Sequence, residues 1–120
     1  MDNNSGSYAP YIDLGEGLNR LGGNAKLFGM LLKKFADDRS VYENILKASD
    51  EDNATDAQFN AHTLKGIVMN LSLKALSDLI VPFEASLKEG IIKKDMIPEI
   101  MATYEETLKT ITVYLENQQI

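Results

Sequence analysis

The chain contains no cysteine and only one histidine among its 120 residues. The lack of cysteine excludes disulfides, thiolate metal sites and thiol nucleophiles together. Because His62 has no second histidine to join it, a histidine-rich metal site is also excluded, and we expect no metal of the chain's own. No apolar run approaches the ~20 residues of a membrane helix, and the polar start does not resemble a secretory signal. We therefore expect a cytoplasmic protein without a membrane partner.

Basic clusters and nucleotide-binding loops are missing as well. The formal net charge is -6, with 18 Asp and Glu residues against 12 Lys and Arg residues. Because such a surface repels a phosphate backbone, we expect no nucleic-acid partner. The pair Gly22-Gly23 has no Lys-Ser/Thr behind it and is not a phosphate-binding loop. We expect no autokinase activity.

The length of the chain fits one domain. We expect a flexible leader over residues 1–10, which are polar and bear Gly and Ser, and a folded domain over residues 11–120. Met1 and this short leader favour a protein that stands alone over a domain excised from a larger one.

Apolar residues recur every three or four positions, and alternation of period two is absent. This spacing predicts helices rather than strands. Asp13 is placed to cap a short first helix, and Asn24 a longer second helix whose apolar stripe bends near Asp38. Four long amphipathic segments with short connections predict an all-α fold: an antiparallel up-down-up-down four-helix bundle with a short leading N-terminal helix.

Three further helices complete this prediction. Asn53 is placed to cap the first of them. The second starts near Ser72, stops at Gly90 and is expected to kink at Pro82. The last starts near Asp95. The apolar positions of the first and last of these helices are expected to face the core: Ala57, Ala61, Leu64, Val68 and Leu71 in the first, and Ile97, Met101, Tyr104, Leu108, Ile111 and Leu115 in the last.

His62 points away from the core in this arrangement. At ~100° per residue, the helix that Asn53 caps turns His62 from its apolar stripe toward solvent. Residues three, four and seven positions away share that exposed side. We call this surface the His62 face, and its residues are Phe59, His62, Lys65, Gly66 and Met69.

Each residue of the His62 face fits phosphoryl transfer. Imidazole is a good nucleophile near neutral pH, and a phosphorylated imidazole is reactive enough to pass its group on. Lys65 lies one turn away, where its charge can attract phosphoryl oxygens. Gly66 costs ~1 kcal/mol relative to Ala inside a helix, which is explained if another protein must approach closely. Phe59 and Met69 would give that protein apolar contact.

The residues alone are also compatible with interpretations in which they have no special function. His62 can be an ordinary surface histidine, with Lys65 a solvated charge and Gly66 a tolerated substitution. Phe59 can belong to the core if the helical register is shifted.

The string Ala61-His62-Thr63-Leu64-Lys65-Gly66 closely resembles the signature of histidine phosphotransfer domains. The resemblance extends over roughly residues 11–115. Gly17–Gly23 looks like the first-helix motif of that family, residues 28–35 are similar to its second helix, and Phe83-Glu84 falls where its Leu-Glu pair usually lies. The chain departs from the family pattern at Ile67, Val68, Met69 and Ser72.

The resemblance implies a four-helix bundle that acts as a phosphocarrier in two-component signalling. His62 would accept a phosphoryl group from a receiver-domain aspartate and pass it to another receiver, supported by Lys65 and Gly66. The implied partners are the receiver domains of hybrid sensor kinases and response regulators, which would carry the magnesium, and we expect the chain to be a monomer.

Two alternatives stay open. One is a bundle that binds receivers without turning over phosphate. The other is a structural bundle that self-associates through Phe59 and Met69.

Overall fold

A computed structural model describes residues 8–118, and this part of the chain is helical, without strands. It forms a rod that measures 47 × 21 × 21 Å. The predicted all-α class is therefore confirmed. The helices are α1 (Leu14–Arg20), α2 (Ala25–Asp37), α3 (Ser40–Asp50), α4 (Ala54–Asn70), α5 (Lys74–Lys88) and α6 (Ile97–Asn117), with a 3-10 turn at Lys94–Met96.

Three helices begin at side-chain caps, as the sequence predicts. In each case the side-chain oxygen accepts a hydrogen bond from the backbone N–H three residues later, which satisfies a donor that the helix itself leaves free. The caps are Asp13 for α1, Asn24 for α2 and Asn53 for α4.

The second predicted helix is broken where the sequence predicts a bend. Asp38 is extended, with φ -120° and ψ 102°, and so ends α2. Its carboxylate accepts hydrogen bonds from the backbone N–H and the hydroxyl of Ser40, at 3.0 and 2.7 Å. These bonds start α3 as a separate helix.

The helix that the sequence predicts to start near Ser72 is α5, which begins at Lys74. Ser72 itself lies outside the helix, because it is buried in the left-handed conformation with φ 56°, which a helix does not allow. Its carbonyl instead accepts a hydrogen bond from the backbone N–H of Asp13. α5 begins at Lys74 and continues on both sides of Pro82, which does not end it.

The predicted core face of α6 is partly wrong. Met101 is exposed, whereas the buried positions are Ile100, Tyr104, Thr107, Ile111 and Tyr114. Two tyrosines set this face, because each packs on aromatic rings of other elements. The Tyr104 ring stacks on Tyr42 at 3.6 Å, and the Tyr114 ring meets Tyr8 edge-on at 5.3 Å. The predicted and the observed core positions of α6 both recur every three or four residues, so spacing alone does not distinguish the two faces.

Residues 1–7 of the predicted leader lie outside the described part of the chain, as do residues 119–120. At the end of the leader, Tyr8 is buried and its hydroxyl accepts a hydrogen bond from the Asn117 amide at 2.9 Å. The carbonyl of Pro10 accepts one from the backbone N–H of Ala75. The packed region therefore includes Tyr8.

α4 packs between α3 and α5, to which connections of a few residues join it. α6 contacts α5 and α2, and α1 contacts α2. Within the part of the chain that the structure describes, one side of α4 is thus left largely uncovered by other helices. Within residues 8–118, no helix combines the length and the apolar character that crossing a membrane requires.

Candidate functional site

The exposed side of α4 carries His62. Four residues of this helix fix its orientation, because they are completely or almost completely buried: Ala57, Ala61, Leu64 and Val68. They are four of the five positions that the sequence predicts for the core, and the fifth, Leu71, is the buried C-cap. With this face turned inward, the His62 side chain is 63% exposed.

A buried carboxylate lies behind the imidazole. Glu84, on α5, has a side chain that is only 1% exposed, and its Oε2 is 3.7 Å from Nδ1 of His62. Its oxygens accept hydrogen bonds from Gln58 Nε2 at 2.7 Å and from Lys65 Nζ at 2.9 Å. The ammonium group of Lys88 is 3.7 Å away.

These partners keep Glu84 ionised. Burial alone would raise the pKa of the Glu84 carboxyl, because it removes the charged form from water. The hydrogen bonds from Gln58 and Lys65 and the charges of Lys65 and Lys88 outweigh burial and hold this pKa below its usual value. A fixed negative charge therefore faces the imidazole at neutral pH.

Lys65 is not a free cation. Its side chain is 23% exposed, and its ammonium group is hydrogen-bonded to Glu84 rather than extended over the His62 face. Lys88 is 54% exposed and contacts the same carboxylate at the longer distance of 3.7 Å. Two ammonium groups thus flank one carboxylate. The net charge of Lys65, Lys88 and Glu84 together is therefore one positive charge beside His62.

The surface around Gly66 is open. A Cβ added at this position would meet no atom within 4 Å outside its own helix and chain neighbours. Gly17 of α1 is different, since its Cβ would lie 2.6 Å from Cζ of Phe28. Packing thus accounts for the glycine at position 17 but not for the one at position 66.

Two large apolar side chains flank His62 on the exposed side. Phe59 is 69% exposed and Met69 is 46% exposed. The alternative register that buries Phe59 is therefore wrong. The His62 face has the composition that the sequence predicts, with the ammonium group of Lys65 drawn toward α5.

Sequence reasoning missed three residues of this site, among them Lys88, whose ammonium group contacts Glu84. Gln58 lies four positions before His62 on α4, where a neutral amide gave no signal. From the sequence, Glu84 is identified only as part of the Phe83-Glu84 pair that resembles the family pattern, and it is given no role in the site. A signal was available, because Glu84 lies four residues after Ile80 and three before Leu87, both buried. A carboxylate on a core-facing stripe needs partners to be tolerated there.

No group of three or more His, Cys, Asp or Glu side chains in the described region is arranged to hold a metal ion. Comparison of the chain with protein-family models, curated proteins and solved structures finds no match in any of the three.

Proposed function

We propose that the chain is a histidine phosphotransfer domain, a phosphorelay intermediate of two-component signalling that carries a phosphoryl group on His62. The observation that supports it best is the pairing of the single histidine, exposed on α4, with the buried carboxylate of Glu84 behind its Nδ1. A carboxylate beside one ring nitrogen favours the proton there and leaves the other, Nε2, with the free lone pair.

The transfer step neither consumes nor releases a proton or a water molecule. The Nε2 lone pair attacks the phosphorus of a receiver's aspartyl phosphate, and the P–O bond to the aspartate breaks as its carboxylate leaves with the electron pair. The phosphorylated imidazole then bears a positive charge with the proton on Nδ1, which Glu84 stabilises at 3.7 Å. Attack by a second receiver's carboxylate on the same phosphorus reverses the process and passes the group on.

The chain's own residues supply the nucleophile and its support, and the receiver supplies the rest. Phosphoryl transfer requires that charge on the phosphoryl oxygens be neutralised. Since the exposed helix face of His62 cannot enclose a phosphoryl group, we assign that role to magnesium on the receiver domain. Lys65 and Lys88 act nearer the imidazole, where their two positive charges outweigh the single negative charge of Glu84, so that the carboxylate does not repel the incoming group. The proposal keeps the cytoplasmic setting expected from the sequence.

The proposed topology is the up-down-up-down four-helix bundle with a short leading helix. The connections on either side of α4 are short, which favours antiparallel neighbours. In this bundle α2 and α3 together form the first long member, and α4, α5 and α6 form the others. His62 lies near the middle of α4, where a receiver can approach from the side.

The proposed docking surface is the His62 face. Phe59 and Met69 provide apolar contacts on either side of the imidazole, and Gly66 leaves room for the partner. A relay intermediate must release its partner quickly, so we expect an interface at the small end, below ~1,200 Å² in total. The chain itself is proposed to be a monomer.

Transfer from phosphorylated receivers tests the proposal against its alternatives. The chain is incubated with each of the host's receiver domains, phosphorylated with labelled phosphate. Label on the chain is the expected result, while binding without label would identify a receiver-binding bundle. Self-association that Phe59→Ser abolishes, with neither label nor binding, would identify a structural bundle.

In a second experiment, the chain is incubated with labelled ATP and magnesium in the absence of a receiver. The proposal predicts no incorporation, because the chain lacks a nucleotide-binding loop. Clear incorporation would identify a kinase and overturn the phosphocarrier proposal.

A further inference from the structure

Two side chains of α4 lie next to the same oxygen of Glu84. The Oε2 atom accepts a hydrogen bond from Gln58 Nε2 at 2.7 Å, while Nδ1 of His62 stays at 3.7 Å, beyond hydrogen-bond distance. Gln58 and His62 are four residues apart on α4 and therefore lie on the same side of the helix. The imidazole is adjacent to the carboxylate but is not bonded to it.

The other oxygen of Glu84 is held by different partners. Oε1 accepts the hydrogen bond of Lys65 Nζ at 2.9 Å and is also the atom closest to Lys88. Oε2 is thus the oxygen that lies next to the imidazole, and the hydrogen bond from Gln58 fixes its position beyond hydrogen-bond distance from Nδ1.

The surroundings of Gln58 allow its amide to move. Gln58 is half-buried and lines a surface cleft of about 320 Å³ between the start of α4 and the end of α5, which Lys88 and Gly90 also line. An approach of about 1 Å would then bring Nδ1 to hydrogen-bond distance from Oε2.

We propose that Gln58 is a positioning residue that withholds Glu84 from His62 in the free protein. When the Gln58 amide leaves Oε2, the carboxylate bonds to Nδ1–H and fixes the tautomer in which Nε2 carries the lone pair. A receiver that docks on the His62 face can displace this amide and so prepare the nucleophile only when the partner is present. The consequence for transfer rests on the proposed function, whereas the competition for Oε2 does not.

The tautomer of the free chain tests the competition directly. The ratio of Nδ1–H to Nε2–H imidazole is measured by NMR on protein with nitrogen-15 histidine, at a pH where the ring is neutral. Gln58→Ala should raise this ratio about two- to tenfold, as expected for one ordinary hydrogen bond gained. The variant should fold, since alanine is the best helix former and the position is half-exposed.

Two controls separate this effect from a general change in α4. Asn60→Ala removes another amide of the same helix, one that donates to the carbonyl of Asp56 and not to Glu84, and should leave the ratio unchanged. In a Glu84→Gln background, Gln58→Ala should also leave it unchanged, because the carboxylate for which the two side chains compete is gone.

An unchanged ratio in folded Gln58→Ala would overturn the inference, as would an equal rise in Asn60→Ala or in the Glu84→Gln background. These outcomes do not depend on a receiver. If the ratio rises as expected but no receiver labels the chain, Gln58 keeps its positioning role and the phosphotransfer proposal fails. If receivers label the chain but the ratio does not change, the phosphotransfer proposal is supported and Gln58 loses its positioning role.

Discussion

The imidazole of His62 and the carboxylate of Glu84 lie 3.7 Å apart, the first exposed on α4 and the second buried on α5. The pair joins an accessible nucleophile to a fixed negative charge. Phosphorylation of His62 would place a positive charge on the imidazole, and Glu84 is the acidic group that lies beside it. The chemistry proposed for His62 therefore depends on a residue from another helix.

Glu84→Gln should destabilise phosphorylated His62. The amide keeps a hydrogen-bond acceptor but loses the charge, so we expect the label to be lost about tenfold faster, equivalent to ~1.4 kcal/mol of lost charge stabilisation. Hydrolysis of the labelled protein measures this rate. Glu105→Gln is the matched control, because Glu105 pairs with Arg39 and not with the site. Equal rates in Glu84→Gln and the unmodified chain would remove Glu84 from the mechanism.

Gly66 should tolerate a methyl group but not a long side chain. Since the space around it is open, Gly66→Ala should hold or raise stability, by up to ~1 kcal/mol from helix propensity. Gly66→Gln should fold as well, yet slow transfer strongly by blocking the receiver. Gly17→Ala is the contrasting control and should lower the melting temperature, because its Cβ would collide with Phe28. Rapid transfer by folded Gly66→Gln would contradict the access role.

Phe59 should contribute to binding rather than to folding. Phe59→Ser should weaken receiver binding by ~1–2 kcal/mol, as the loss of an interface anchor does. Its melting temperature should change little because the ring is 69% exposed, whereas a core phenylalanine would cost ~3–5 kcal/mol. Met101→Ser on α6 is the matched control at an exposed apolar site away from α4. Unchanged receiver affinity in Phe59→Ser would exclude it from the docking surface.

Glu16 should make stability fall in acid. A hydrogen bond from Ser72 and others from Lys74 and Arg20, together with the charge of Lys74, lower the pKa of the Glu16 carboxyl from its ordinary 4.5 to about 2. Because the folded-state pKa lies below the unfolded one, this stabilisation is complete above pH ~4.5 and is lost as the pH falls toward 2. Melting temperatures of Glu16→Gln and the unmodified chain should therefore converge over this range. A constant difference between them would contradict the assignment.

The sequence predicts local features of this fold well and contacts between helices poorly. The caps Asp13, Asn24 and Asn53 depend on nearby residues, and α4 has one continuous apolar stripe, so both were predictable. The face of α6 was not, because Tyr114 is buried by rings from elsewhere in the chain. The same reason hid Gln58 and the ammonium contact of Lys65, since both depend on where α5 places Glu84.

The most direct test of the account is to map and characterise the phosphorylated residue. After incubation with a labelled receiver, the label should be on His62 alone, stable in alkali and lost in acid, as a phosphoramidate is. His62→Gln should take up none and should keep its stability within ~0.5 kcal/mol, because the side chain is exposed. Acid-stable label, or label that persists in His62→Gln, would contradict the proposal that this histidine carries the phosphoryl group.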